Sequence, residues 1–190
     1  MNHNIELKGF RLQLRPVRLD DVKFILSLRT DPDLSRYLNP VSSSYELQIA
    51  WLQQYFEAEN DYYFVIEDSK TAEPEGLVAL YNFDTNKSGA EWGRWILKKS
   101  SIRAVESALL IYRVGFIIFD LKSIYCVTMA DNSRVVSFHD SCGIKEKTFL
   151  SRYFSINGSF FDGIRHTLHR SAWPEIDARL SNLASRLSDK

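Results

Sequence analysis

Glu91, His139, Asn132 and the run Lys98-Lys99-Ser100-Ser101-Ile102-Arg103-Ala104 are the residues whose types and spacing suit chemistry. A carboxylate such as Glu91, flanked by Ala90 and Trp92, is able to accept a proton from a reacting group. Imidazole offers both protonation states near neutral pH. Either group is chemically able to move a proton. Lys98, Lys99 and Arg103, with the hydroxyls of Ser100 and Ser101, suit an anion. The Asn132 amide can both donate and accept. Each group has a plainer alternative. A carboxylate at a strand start is usually solvated, and so is a basic turn. His139 shares a helix face with Val135 and Cys142, as a core histidine would, and Asn132 or Asp131 makes an ordinary helix N-cap.

Hydrophobic periodicity supplies the elements that hold these groups. Phe10–Pro16 alternates like a half-buried strand. Asp20 or Asp21 is expected to cap a helix carrying Val22, Ile25, Leu26 and Arg29, which Thr30-Asp31-Pro32 breaks. Ser43 and Glu46 predict a capping box for a helix along Ile49, Leu52 and Phe56. Tyr62–Glu67 and Gly76–Phe83 read as a hairpin, and the turn Asp84–Gly89 leads to a strand over Glu91–Leu97. On that strand Trp92 and Trp95 are read as core aromatics of one face, Glu91 lies on the face of Gly93, and Arg94 points away from the tryptophans. Ile102, Val105, Leu109, Tyr112 and Phe116 repeat with helical period, and the apolar spread near Phe116 implies cover on both sides. Ser123–Met129 is a strand. The next helix starts at Asn132 and stops at Gly143, whose freedom suits a helix terminus. Lys147–Ile156 and Phe161–His169 are strands joined through Asn157-Gly158, and Pro174 opens a last amphipathic helix along Ile176, Leu180, Leu183 and Leu187.

A chain of 190 residues suits one compact domain spanning 1–190. Lys+Arg and Asp+Glu both number 24 and the basic residues are scattered, which argues against a nucleic-acid partner or an anionic membrane surface. Ala108–Phe119 is interrupted by Arg113 and falls short of the roughly 20 apolar residues that cross a bilayer. The N-terminus has no basic region followed by an apolar run, so the expected compartment is cytoplasmic. Cys126 and Cys142 have no partner at metal-ligand spacing and are expected to be buried, reduced thiols. His166 and His169, three apart on a strand, fall on opposite faces, and no metal is expected.

The order of elements around Glu91-Trp92-Gly93-Arg94-Trp95 and Asn132…Cys142-Gly143-Ile144 resembles the GCN5-related N-acetyltransferase (GNAT) superfamily. Leu14-Arg15-Pro16-Val17 with Asp20-Asp21, and Asp162-Gly163-Ile164…Trp173, are similar to its ribosomal-protein and amino-sugar N-acetyltransferase branch, along nearly the whole chain. The resemblance implies an α/β (α+β) fold: a mixed, mostly antiparallel sheet of six to seven strands, splayed centrally, flanked by about four helices, plus a C-terminal helix. It implies an N-acetyltransferase with acetyl-CoA as cosubstrate, no metal, and direct attack by a primary amine in a ternary complex. Trp95, Ile96 and Leu97 would then hold the pantetheine arm with Asn132, and Lys99, Ser100, Ser101, Ile102, Arg103 and Ala104 would meet the pyrophosphate. Glu91 would be the general base, often acting through water in relatives. His139 would protonate the sulfur where many relatives carry tyrosine, with Tyr112, Tyr125 and His166 in reserve. The family's phosphate turn usually reads Gln/Arg-x-x-Gly-x-Gly/Ala; here Ile102 stands at the central glycine and only Lys99 and Ala104 keep the pattern.

The near-neutral chain lacks an evident acidic groove for basic protein tails, so the preferred acceptor is a small-molecule amine, an amino sugar that could be nucleotide-linked. Tyr37, Tyr81 and Phe83 would supply stacking faces. A protein N-terminus is the alternative acceptor within the same chemistry. A non-catalytic GNAT-fold binding protein is the alternative of another class. The apolar C-terminal helix leaves a homodimer open.

Overall fold

In the computed structural model, which describes residues 2–188, the chain enters through a two-residue strand, β1 (Leu7–Lys8), and turns into β2 (Leu12–Pro16). A buried carboxylate holds that turn: Glu106 Oε1 accepts from the backbone N–H groups of Phe10, Arg11 and Leu12 at 2.6, 2.8 and 3.0 Å. A short 3-10 turn, Leu19–Asp21, leads into α1 (Val22–Arg29), and a segment without regular structure precedes α2 (Tyr45–Phe56). The chain continues through β3 (Tyr62–Asp68), β4 (Pro74–Tyr81), β5 (Gly89–Leu97) and α3 (Ala104–Arg113), which ends in a π turn over Val114–Ile118. After it come β6 (Ser123–Met129), α4 (Ser133–Ser141), β7 (Glu146–Ile156), β8 (Ser159–His169) and α5 (Trp173–Ser188).

One mixed sheet runs β1-β2-β3-β4-β5-β6-β8-β7, antiparallel throughout except where β5 meets β6. Alternation along the strands sends Leu12, Leu14, Phe64, Ile66, Leu80 and Trp92 to a core shared with α3 and α5. The opposite set, Val17, Tyr63, Val65, Leu77, Ala79 and Ile96, packs on α1 and α2. Among the described residues no helix is long and apolar enough to cross a membrane.

Several expected details shift. The sheet has eight strands rather than six or seven, because β1 is two residues long and too short for alternation to reveal. The first main strand begins at Leu12 rather than Phe10, since Gly9 to Arg11 form the turn clasped by Glu106. Asp21 does not cap α1 with its side chain; its carboxylate accepts from the Arg18 N–H at 2.7 Å and pairs with Arg15 at 2.7 Å. Ser44, not Ser43, caps α2, accepting from the Leu47 N–H at 3.2 Å. That register puts Glu46 one position too early for a reciprocal box, and it accepts the Ser44 hydroxyl instead at 2.8 Å. The second hairpin strand ends at Tyr81 because Asn82 turns with a φ of 51°. Ile102 precedes α3 and is exposed rather than lying on its stripe, and Ile117 and Ile118 are exposed, so the end of that helix is covered on one side only. Asn157-Gly158 forms a two-residue turn with φ of 50° and 78°, the sign that matches the twist of a hairpin.

The parallel contact between β5 and β6 positions the site. It runs only from Gly89↔Ser123 to Glu91↔Tyr125, and beyond Glu91 no further pairing joins the two strands. On its other side β5 carries an extra residue against β4, where Leu77 pairs with Ile96 but Ala79 with Gly93. Arg94 sits in this bulge with a φ of 48°. In a regular strand, residues three apart point to opposite faces. The bulged residue restores a common face to Trp92 and Trp95, whose rings lie 5.4 Å apart, and sends Arg94 to the other side.

Candidate active site

Where β5 and β6 part, a cleft of about 630 Å³ opens. Its walls are Glu91, Trp92 and Trp95 of β5, Cys126, Thr128 and Met129 of β6, and Asn132 and His139 of α4. The far end is closed by α1, α2 and the segment between them, through Arg29, Tyr37, Asn39, Gln48 and Trp51. Beyond Glu91 the edge of β5 is a run of peptide groups without a strand partner on the β6 side, which suits the amides of an extended ligand.

Glu91 is 7 % exposed and held from two directions. Asn82 Nδ2 donates to one of its carboxylate oxygens at 2.9 Å and the Tyr81 hydroxyl donates to the other at 3.2 Å. The register Tyr81↔Glu91 across β4 and β5 creates this arrangement, and Gly93 leaves room for it, since a Cβ there would lie 2.5 Å from the Tyr81 oxygen. Burial and the Glu91 charge push the Tyr81 phenol well above its ordinary value, so it remains a hydrogen-bond donor.

His139 is 2 % exposed, packed among Trp92, Trp95, Phe138 and His166, with Nε2 3.5 Å from Cys126 Sγ and Nδ1 unpartnered. Burial first, then the neighbouring His166, pushes this imidazole down to about 3. The ring is therefore neutral near pH 7, and the expectation that both protonation states are accessible there fails because of desolvation. Asn132 lines the cleft while its Oδ1 accepts from the Val135 N–H at 3.4 Å, so it caps α4 and still borders the slot.

Tyr37 and Tyr81 border the cleft, whereas Phe83 packs outside it against Tyr62 and Phe119 at 5.5 and 5.4 Å. Tyr112 is buried beneath the cleft wall and accepts from Trp92 Nε1 at 3.1 Å. His166 is buried with Nε2 3.2 Å from Asp140, while His169, three residues on, is exposed. Tyr125 lies half-buried under the Arg165 guanidinium, 4.6 Å away. Cys126 and Cys142 are buried free thiols, both pushed up by burial, Cys142 to about 11. The position of Cys126 in the cleft wall was not evident from its spacing. Asn82, Arg29, Trp51 and the pair Arg94–Asp61, bonded at 2.6 and 2.7 Å, were also missed, because only tertiary packing brings them together.

At the other end of β5 the residues expected to meet phosphates already have partners. Lys99 pairs with Asp33 at 2.8 Å and Asp31 at 3.1 Å, Lys98 lies 4.0 Å from Glu75, and Arg103 donates to the Leu187 carbonyl of α5. The Ser101 N–H bonds the Lys98 carbonyl at 3.0 Å, and its hydroxyl accepts from the Arg103 N–H at 3.3 Å. Ile102 turns its side chain to solvent, and no side chain caps the first turn of α3. Uncapped N–H groups at a helix start suit a phosphate, so the turn fits the group despite its missing glycine. Trp95 borders the slot with Nε1 bonded to Ser107 of α3 at 3.0 Å, Ile96 is buried on the opposite face, and Leu97 packs against the main core. Ile96 and Leu97 can thus serve the slot only through their backbone.

A family model for the acetyltransferase (GNAT) domain matches residues 11–145. The chain belongs to the GNAT family. Among solved structures this GNAT domain is similar to apo FdhC, a nucleotide-linked sugar GNAT, at 31% identity over 93% of this chain and 97% of that one, with a TM-score of 0.76. It shares its fold with a spermidine N-acetyltransferase from Vibrio cholerae in complex with CoA and spermine (24% identity, 86% and 98% covered, TM-score 0.76). It shares it also with a GCN5-related N-acetyltransferase from Brucella melitensis (15%, 95% and 85%, 0.82). No curated protein matches the sequence. The family assignment makes the chain an acyl-CoA-dependent N-acetyltransferase.

Proposed function

We propose that the protein transfers an acetyl group from acetyl-CoA to the primary amine of a small acceptor, an amino sugar in the first instance. The observation that carries this reading is Glu91, buried where β5 and β6 part and oriented by Tyr81 and Asn82. Acetyl-CoA supplies the acetyl group as a thioester. The open edge of β5 from Trp92 to Leu97, with Asn132 opposite, would hold its extended arm, and Ser100 to Ala104 with the first turn of α3 would take the phosphates. Glu91 accepts the proton of the incoming amine, directly or through one water, and its two donors keep the carboxylate aimed at the slot. His139, neutral in its apolar pocket, shapes the sulfur end of the slot, and its N–H is the hydrogen-bond donor this reading assigns to the departing thiolate, which takes its proton from solvent. Tyr37, Trp51 and Tyr81 offer flat faces to a sugar ring. Likeness to a nucleotide-linked sugar GNAT at 31% identity supports the acceptor class.

Thiol release from acetyl-CoA against amino sugars, peptides and simple amines tests this reading. Release with an amino sugar, slowed at least about 100-fold by Glu91→Gln while cofactor binding persists, is the expected result. Acetyl-CoA binding without release for any amine would refute it.

A further inference from the structure

Among the described residues three charged side chains line the cleft, Arg29, Glu91 and Arg94, and two of them are accounted for. Arg94 is clamped by Asp61 through two bonds of 2.6 and 2.7 Å, with its guanidinium over the Tyr81 ring at 4.6 Å. Glu91 is fixed by Tyr81 and Asn82. Arg29 has no such partner. It takes part in no ion pair among the described residues, Nη2 donates to the Asn39 carbonyl at 2.8 Å, and Nε is buried without an acceptor.

Arg29 is half-buried with its Nε shut off from solvent, and a guanidinium partly withdrawn from water without a counter-ion carries a desolvation cost that an anionic ligand would relieve. Burial and the nearby Arg94 weaken the hold of Arg29 on its proton, in agreement with that geometry. Arg29 is the last residue of α1, where helix carbonyls favour a cation, yet its one observed bond goes to Asn39 instead. The planar fork matches a carboxylate or phosphate in two-point contact. Among the described residues Glu91 is the sole carboxylate in the lining, and the proposed reaction uses it, while Asp61 is spent on Arg94, so a polycation would meet little compensating charge.

We infer that Arg29 binds an anionic group of the acceptor, so that the substrate is an amine that also bears a phosphate or carboxylate. This rests on the acetyl-transfer reading for which end of the cleft receives the acceptor. Its test does not need turnover.

Calorimetric titration of the protein saturated with coenzyme A would compare matched probes: UDP-glucosamine against glucosamine for phosphate, lysine against cadaverine for carboxylate. In one pair the anionic member should bind about 10- to 100-fold more tightly, the range of a hydrogen bond to a charged group, and the pair that responds names the anion. Arg29→Gln should reduce that preference to within about threefold, and Arg29→Lys should keep part of it. Equal binding within both pairs, or a preference unchanged in Arg29→Gln, overturns the inference. The wild-type comparison and the lysine variant carry the test if the glutamine variant fails to fold. A preference that depends on Arg29, in a protein that releases thiol with no amine, would keep the anion site and refute acetyl transfer.

Discussion

The two ends of β5 handle charge in opposite ways. At its start, Glu91 is buried and its bonds go to a neutral phenol and a neutral amide, with no cation of the protein paired to it among the described residues. At its end, Lys98, Lys99 and Arg103 are bound by the protein's own carboxylates and a helix carbonyl, so a phosphate must compete for them. The first arrangement is preorganised by strand register. The second holds a loop in place, and of its contacts the Lys99 pairs with Asp31 and Asp33 are exposed and contribute little. Disturbance at the first end should therefore strike turnover, and at the second end cofactor affinity, and less severely.

Glu91→Gln keeps the shape and removes the proposed base. It should lower kcat about 100- to 10,000-fold, the span of general acid–base contributions, with acetyl-CoA affinity changed less than about twofold, as single-turnover kinetics and calorimetry would report. Gly93→Ala should come next. Its Cβ would displace the Tyr81 hydroxyl from Glu91, and turnover should fall about tenfold, the low end for a hydrogen bond to a charged group. Tyr81→Phe should match it, and the double variant should be no worse than either alone. Additive losses would show that Gly93 acts by another route.

His139 gives a stability prediction with a definite sign. Its folded-state proton affinity is depressed from 6.5 to about 3, so between those pH values the unfolded chain binds the proton and the folded chain does not. Stability is complete above pH 6.5 and falls as pH drops, by roughly 1.4 kcal/mol per pH unit within that window. Urea denaturation at pH 7 and pH 5 should show this decline, and His139→Phe should flatten it; an equal slope in both proteins would contradict the buried neutral ring. Smallest of all, Lys99→Ala should weaken acetyl-CoA binding by no more than about fivefold without altering kcat, because the pairs it breaks are exposed.

What could be read from the sequence followed the same division. Asn132 and Gly143 were legible because local rules fix them, an N-cap and a glycine terminator at a φ of 92°, whereas Glu91, the third residue of β5 rather than its first, was singled out by the family resemblance. The strand and helix order was legible from periodicity, and only β1, too short for a period, escaped. The partners of these groups were not legible. Asn82 meets Glu91 through the β4–β5 register, Arg29 reaches the cleft only once α1 packs on the sheet, and Lys99 meets Asp31 and Asp33 across 66 and more residues of chain. Phe83 was expected to offer a stacking face with Tyr37 and Tyr81, but the turn at Asn82 carries it into the Tyr62–Phe119 cluster. His139 kept its place and lost its expected protonation state, since burial depends on the neighbours Trp92, Trp95 and His166 rather than on its own helix.

Amide hydrogen exchange with and without acetyl-CoA tests most directly whether the divergence of β5 from β6 forms the cofactor slot. New protection should concentrate on Trp92 to Leu97 and the first turn of α3, with β7 and β8 unchanged. Saturable binding that leaves those amides exchanging as before would contradict it.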